Sequence, residues 1–333
     1  MRRFCLPVVP LLLLALLLAT APAHAQSRDS ALVSLLRGTE LGIGALLQTD
    51  LDAGSAVVNN GFTLRVARLR LKGAVRPVRF FVQTDFSDTR SILDMRVRLP
   101  IAEGTSVAAG LYKAPFSREL LTFRGAILMA ERARAVNDLA PARQLGANLS
   151  TDLGAGVTLD VGVYNGTGGV ARNDNDHFLY VGRLAGSVPL ENGVLEYGAN
   201  AGISEDDAVD LGRAARAFDG TRLLLGVDAE LRTGRWLLSG ELVSARLDAD
   251  PGTVRWPTGG HLTGGVVLNE QHEIRLRLDS YDPDRDGSSF EDLWTVGYAF
   301  LASSSVEGVV NYTLPANDLD EGRLKLRLQV AIN

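Results

Sequence analysis

The sequence predicts an all-β fold, a transmembrane antiparallel β-barrel of sixteen strands, on three observations. An export leader opens the chain, apolar and polar residues alternate with period two almost to its end, and the links between alternating segments are short and long in turn.

The leader is the simplest of the three. Arg2 and Arg3 precede an apolar run from Leu6 to Ala19 and the small-residue site Ala23-His24-Ala25, the pattern of a secretory signal peptide over residues 1–25. That run is shorter than the roughly 18 to 20 apolar residues of a spanning helix. No other run approaches this length, so a membrane protein made from this sequence must span with strands. A short periplasmic segment, 26–38, is expected before the barrel of residues 39–333. Cys5 is the sole cysteine and lies in the leader, which excludes disulfides and cysteine metal sites from the mature chain. A formal net charge of −5, from 34 basic and 39 acidic residues, argues against a nucleic-acid partner.

Alternation is cleanest in Leu93-Asp94-Met95-Arg96-Val97-Arg98-Leu99. It recurs in Ile274-Arg275-Leu276-Arg277-Leu278-Asp279 and in Arg323-Leu324-Lys325-Leu326-Arg327-Leu328-Gln329-Val330. Successive side chains of a strand face opposite ways, so each segment has one apolar and one charged face. Sixteen segments follow: 39–48, 62–72, 78–87, 92–99, 105–113, 143–151, 156–164, 178–187, 193–203, 221–231, 234–246, 259–268, 272–280, 291–301, 305–313 and 322–331. Most match the roughly 9 to 11 residues of a tilted spanning strand. Links such as Arg232-Thr233 alternate with links such as Ser204–Gly220, as short periplasmic turns and longer external loops would; only Ser87–Ser91 breaks the pattern. The longest, 114–142, is the third external loop. It either folds inward to narrow a pore or stays outside as a surface loop or short helix.

If the apolar faces meet lipid, Arg96, Arg98, Arg275, Arg277, Arg323, Lys325 and Arg327 line the lumen with Asp94 and Asp279. The reverse would set cations against hydrocarbon, at roughly 2 to 4 kcal/mol each near the midplane. The other acids, Asp50 and Asp52, Asp174 and Asp176, Glu205 to Asp207, Asp282 to Asp286 and Asp318 to Glu321, fall in expected loops. A basic wall favours passing anions. On the second segment Arg65 has the opposite parity from Arg68, Arg70 and Lys72, so either a bulge near Ala67 turns Arg65 inward or Arg70 and Lys72 sit at the periplasmic rim.

Several stretches together resemble the phosphate-selective porins of the O and P type. They are Arg65 to Gly73, Ala109-Gly110-Leu111-Tyr112-Lys113-Ala114-Pro115-Phe116-Ser117-Arg118-Glu119, Glu131-Arg132, Pro141 to Gly146, Val163-Tyr164-Asn165-Gly166 and Tyr180 to Leu184. The resemblance implies a sixteen-stranded barrel, usually a homotrimer in outer-membrane lipid, passing small anions such as phosphate without a cofactor. It places Arg65, Arg68, Lys113, Arg132 and Arg143 along the anion pathway; alternatively Glu131 and Arg132 pair to pin the loop. The sequence departs from that family in ending on Asn333 rather than an aromatic residue, and aromatic residues are only 6% of the chain.

No metal is expected. Asp282-Pro283-Asp284-Arg285-Asp286-Gly287 starts like a calcium loop, but its twelfth position is Leu293, so it reads as an acidic turn. The mature histidines, His177, His261 and His272, have no nucleophile and acid at readable spacing. Three alternatives to a selective anion porin stay open: a weakly selective diffusion porin, an outer-membrane hydrolase whose groups converge only in space, and a structural barrel plugged by 114–142.

Overall fold

Strand pairing runs around a closed circuit in the computed structural model, which describes residues 40–332 apart from 56, 58, 90, 169–175, 250–251, 285–290 and 319. The expected leader and the segment 26–38 lie outside the described residues. β1 (Glu40–Gly54) pairs antiparallel with β17 (Arg323–Ile332), Thr49 opposite Leu328, and on its other side with β2 (Gly61–Val75). The circuit continues through β3 (Val78–Asp85), β4 (Ile92–Ala102), β5 (Thr105–Lys113), β6 (Arg143–Gly154), β7 (Val157–Tyr164), β8 (Leu179–Leu190) and β9 (Gly193–Val209). It returns through β10 (Phe218–Thr233), β11 (Trp236–Ala249), β13 (Thr258–Asn269), β14 (His272–Asp282), β15 (Glu291–Ser303) and β16 (Val306–Pro315). A three-residue arm, β12 (Thr253–Arg255), pairs only with the end of β11 and stands outside the circuit. The barrel therefore has sixteen strands and no free edge.

All sixteen expected segments are strands. Two run well past their expected ends at the long-loop rim, β1 to Gly54 and β9 to Val209. On β9 apolar alternation fades there, on β1 Asp50-Leu51-Asp52 carries it on, and the ladder continues in both, so Asp50, Asp52 and Asp206 are strand residues, against the expectation that they are loop acids. All three are nearly inaccessible or paired inside the barrel.

Side-chain parity divides the wall as alternation requires. Met95, Val97 and Leu99 point outward and are exposed, whereas Asp94 before them is buried inside and Arg96 and Arg98 between them are partly buried. One sector breaks the rule that apolar faces look out. On β8, β10 and β11, Val181, Leu224, Val243 and Leu247 are buried inside the barrel, although Leu225 and Leu242 beside them face outward. The uninterrupted Leu223-Leu224-Leu225 is the trace of a wall covered on both sides.

What covers the inner side is the connection 114–142. It holds two short helices, α1 (Arg118–Leu121) and α2 (Arg134–Leu139), and its Phe116, Ala133, Val136 and Leu139 are fully buried against that apolar sector. The link between β9 and β10 packs onto α2 from the rim, with Leu211 and Ala214 buried and Arg213 paired to Asp138 at 3.4 Å. Burial of these side chains, at about 25 cal/mol per Å² of apolar surface, draws the loop to this side of the lumen.

Where β4 and β5 pair, Gly110 has φ 131°, and a Cβ there would meet the Met95 carbonyl oxygen at 2.0 Å. Gly110→Ala is expected to cost about 1–3 kcal/mol. The measurement is the temperature at which the folded band is lost in heat-modifiability electrophoresis, which should fall.

Candidate functional site

Non-helical backbone at membrane depth needs a partner for every amide it exposes. The inward loop finds them on the wall. Its N–H groups donate to side chains that alternation aims inward: Ser117 to Asn200 (3.3 Å), Glu119 to Glu241 (3.0 Å), Ala130 to Asn311 (2.7 Å) and Arg134 to Asp279 (3.1 Å). Its carbonyls accept from Gln329 at Gly125 (2.9 Å), Arg327 at Ala130 (2.6 Å), Arg277 at Glu131 (3.2 Å) and Arg275 at Leu128. Locally, the Ser117 hydroxyl caps α1 by accepting from the Leu120 N–H at 3.0 Å.

This use of the wall decides what the expected pathway residues do. Arg277 is bound to Glu119 at 2.7 Å and Arg275 to Glu273 at 2.7 Å. Arg327 grips Asp50 at 2.7 Å, Lys325 bridges Asp50 and Asp52 at 3.1 and 2.9 Å, and Arg323 meets Asp52 at 2.7 Å. The β14 and β17 faces are therefore neutralised rows of ion pairs, not the bare cationic faces that the sequence suggests. On β17 the correction comes from β1, whose extension brings Asp50 and Asp52 opposite Arg327 and Lys325 in register, and on β14 from Glu119 of the loop and Glu273 of the strand itself.

A second group surrounds the loop near β2 to β6. Arg68 pairs with Asp85 at 2.7 Å and Arg143 with Asp94 at 3.0 Å. Arg65 does turn inward, reaching Glu131 at 3.3 Å. The ladder is irregular where parity changes, since the Ala67 N–H donates to the Asp85 side chain at 3.2 Å. Arg70 and Lys72 share the inward parity of Arg68, and Arg70 lies 4.2 Å over the Phe123 ring of the loop. Lys113 and Arg132 clasp the same stretch from two directions. Lys113 donates to Leu120 and Thr122 at 2.5 and 3.0 Å, and Arg132 to Glu119 and Thr122 at 2.9 and 3.1 Å, all through backbone carbonyls. Arg132 and Glu131 thus do not pair with each other.

Glu131 instead takes Arg65, Arg124 at 2.9 Å and Lys325 at 3.4 Å, closing the loop onto β2 and β17. Burial alone would raise its carboxyl, but Arg124, Arg65 and Lys325 outweigh it and hold the group well below the usual range. Burial, with Arg124, Arg143 and Arg68 nearby, pushes the Arg132 guanidinium down to about 10, so it stays charged at neutral pH. Five arginines (Arg65, Arg68, Arg124, Arg132 and Arg143) thus gather around three carboxylates, Asp85, Asp94 and Glu131. Just below, Arg96 and Arg98 face the lumen, and neither has a carboxylate within ion-pair distance among the described residues. Toward the long-loop rim, a cavity of about 390 Å³ is lined by Arg132, Arg134, Arg277, Arg323 and Lys325 together with Glu131 and Asp279.

The sequence reading missed Arg118, Arg124, Arg134, Arg183 and Arg222. Arg183 and Arg222 lie on β8 and β10, where each is buried against a carboxylate, Asp228 at 2.5 Å and Asp206 at 2.8 Å. Their inward parity was readable, but their partners come from other strands. The three histidines are far apart in role: His177 meets Glu205 at 3.3 Å, His272 contacts the Tyr298 hydroxyl at 2.6 Å, and His261 is buried in the lumen wall. Among the described residues no group of three or more acidic, histidine or cysteine side chains gathers as a metal site.

Because the Glu131 carboxyl is depressed in the folded loop, its anchoring is complete at neutral pH and is lost as pH falls through the depressed value. Amide exchange across 118–132 should stay slow through the ordinary glutamate range near roughly pH 4.3 and accelerate only below it. Glu131→Gln should exchange faster at neutral pH and lose that acid step.

Solved structures of similar fold include porins and an outer-membrane protein, at identities that speak to fold alone. An anion-selective porin from Comamonas acidovorans superposes with a TM-score of 0.67 at 14% identity, covering 88% of this chain and 100% of that one. OmpT of Vibrio cholerae in its trimer form gives 0.62 at 12%, with 88% and 99% covered. Pseudomonas putida OprB gives 0.60 at 10%, with 92% and 96% covered. No curated protein matches the sequence. The model of the family called phosphate-selective porin O and P matches residues 43–251, well over half of the sequence, and the chain belongs to that family of outer-membrane channels rather than to any class of enzyme.

Proposed function

We propose that the chain is a passive channel for small anions, with its long loops outside the cell and its barrels associated as trimers. The observation that carries this reading is the uncompensated charge around the loop. Five arginines face three carboxylates there, and Arg96 and Arg98 extend the positive wall without carboxylate partners among the described residues. A fixed positive field in a narrow, weakly screened lumen lowers the cost of an anion's partial dehydration and raises that of a cation. Family membership supports phosphate and related oxyanions as cargo, and guanidinium groups suit their oxygens in pairs. The trimer form of OmpT supports the assembly.

A second reading, weakly selective diffusion, is favoured by the neutral rows on β14 and β17, where Arg275, Arg277, Lys325 and Arg327 are bound to carboxylates.

Reversal potential in a potassium chloride gradient across planar bilayers tests the proposal. Anion preference is expected for the native protein, and Arg96→Ala with Arg98→Ala should reduce the anion-to-cation permeability ratio about three- to tenfold. A cation-favouring potential in the native protein overturns it. Block of chloride current by micromolar phosphate separates the two readings: block supports oxyanion selectivity, and its absence supports general diffusion.

A further inference from the structure

Beneath the inward loop, four titratable side chains stand side by side on the wall. Asp228 of β10 is opposite Glu241 of β11, Glu241 is opposite His261 of β13, and His261 is opposite Asp279 of β14. All four are between 5% and 8% exposed. The acids around them have arginines. Asp228 holds Arg183 at 2.5 Å, and Asp279 lies 3.8 Å from Arg134 of the loop. Glu119, which faces the row from the loop, holds Arg277 at 2.7 Å, and Glu230, two residues along β10, is taken by Arg118 at 2.9 Å. Glu241 differs. Among the described residues no cation, His261 included, lies within ion-pair distance of it, although it bears directly on the loop. Its Oε2 accepts the Glu119 N–H at 3.0 Å, whereas its buried Oε1 has no donor in hydrogen-bonding geometry, the Ser117 hydroxyl standing close by.

An ionised carboxylate in this place is stripped of water, has no counter-ion, and faces Asp228 on one side and Glu119 on the other. A group so buried takes up a proton instead. Protonation at Oε1 removes the repulsion, leaves Oε2 to accept the same amide and gives an O–H that can turn to the Ser117 oxygen. We infer that Glu241 carries a proton while the loop is seated on it and releases that proton when the loop lifts, so that pH sets how firmly the constriction is held. The seated loop then binds one proton more than the lifted loop. Its seating strengthens as pH falls and weakens as pH rises, by at most about tenfold per pH unit. Glu131 has the opposite sign, since its anchoring is lost only in acid. The two anchors together define a window of mild acid in which the loop is held most firmly, whichever ion passes.

Amide exchange of residues 117–121 in the full-length protein, corrected for base catalysis, tests this between pH 5 and pH 8. Protection in the native protein should fall about three- to tenfold across that range. Glu241→Gln keeps an oxygen for the Glu119 amide and cannot ionise, so it should hold its pH 5 protection through pH 8, with folding checked by heat-modifiability. Infrared difference spectra give a second readout: the carbonyl stretch of a protonated carboxyl should be present at pH 5, diminish toward pH 8 and be absent from that position in Glu241→Gln. Protection that falls equally in native protein and folded variant, or a protonated-carboxyl band that the substitution leaves unchanged, overturns the inference. A cation-selective or non-conducting native protein overturns the anion-channel reading instead, and leaves both of these measurements able to decide.

Discussion

The backbone of the inward loop is the constraint on which the rest of the lumen depends. Neither α1 nor α2 is long enough to satisfy its own amides, and the stretches between them are irregular. Side chains must therefore supply what secondary structure does not, and they come from almost every quarter of the barrel. Asn200, Glu241, Asp279 and Asn311 accept, while Arg275, Arg277, Arg327 and Gln329 donate. Deleting one partner leaves a buried group unsatisfied, which typically costs about 1–3 kcal/mol and more for a charged group. The loop is thus held as a unit, and the link 210–217 bears on it from the rim.

Charge in the lumen follows from that role. An arginine that donates to a loop carbonyl is itself buried, so a carboxylate must accompany it. Asp50 serves Arg327, and Glu119 serves Arg277. These rows are rigid and nearly neutral, and they occupy the walls that alternation alone marks as most basic. Toward β2 to β6 the loop is held differently: Lys113 and Arg132 grip backbone carbonyls, and the Arg132 guanidinium keeps its charge. The asymmetry between neutral rows and a cationic side is the result.

The fold was legible because period two is set by backbone geometry and lipid enforces it on every spanning residue. All sixteen strands carry that mark. Strand ends were only partly legible, since beyond the lipid both faces meet water or polar loops and alternation loses its cause; Asp206 was misplaced for this reason, whereas Asp50-Leu51-Asp52 still alternates. Inward parity of Arg96, Arg275 and Arg327 could be read from one strand, but whether each has a partner depends on register with another. Asp50 is 277 residues from Arg327 along the chain, and only barrel closure brings the two together. The inward loop did leave a trace, the doubled apolar faces at Leu223-Leu224-Leu225, which a search for alternation passes over as noise.

Holding the loop and selecting a solute make opposed demands on the same residue type. A guanidinium that fixes the loop must have its donors occupied, whereas one that assists a permeating anion must have donors to offer. The wall separates the two tasks by strand. On β14 and β17 the arginines are occupied by carboxylates and carbonyls, and they set the position of the constriction. On β4, Arg96 and Arg98 have no carboxylate partner among the described residues, and aromatic rings hold Arg96 where a carboxylate would have cancelled its charge. A ring face attracts a cation without neutralising it. On the proposed anion-channel reading, selectivity resides on β4, where among the described residues neither a loop carbonyl nor a carboxylate occupies the two guanidinium groups.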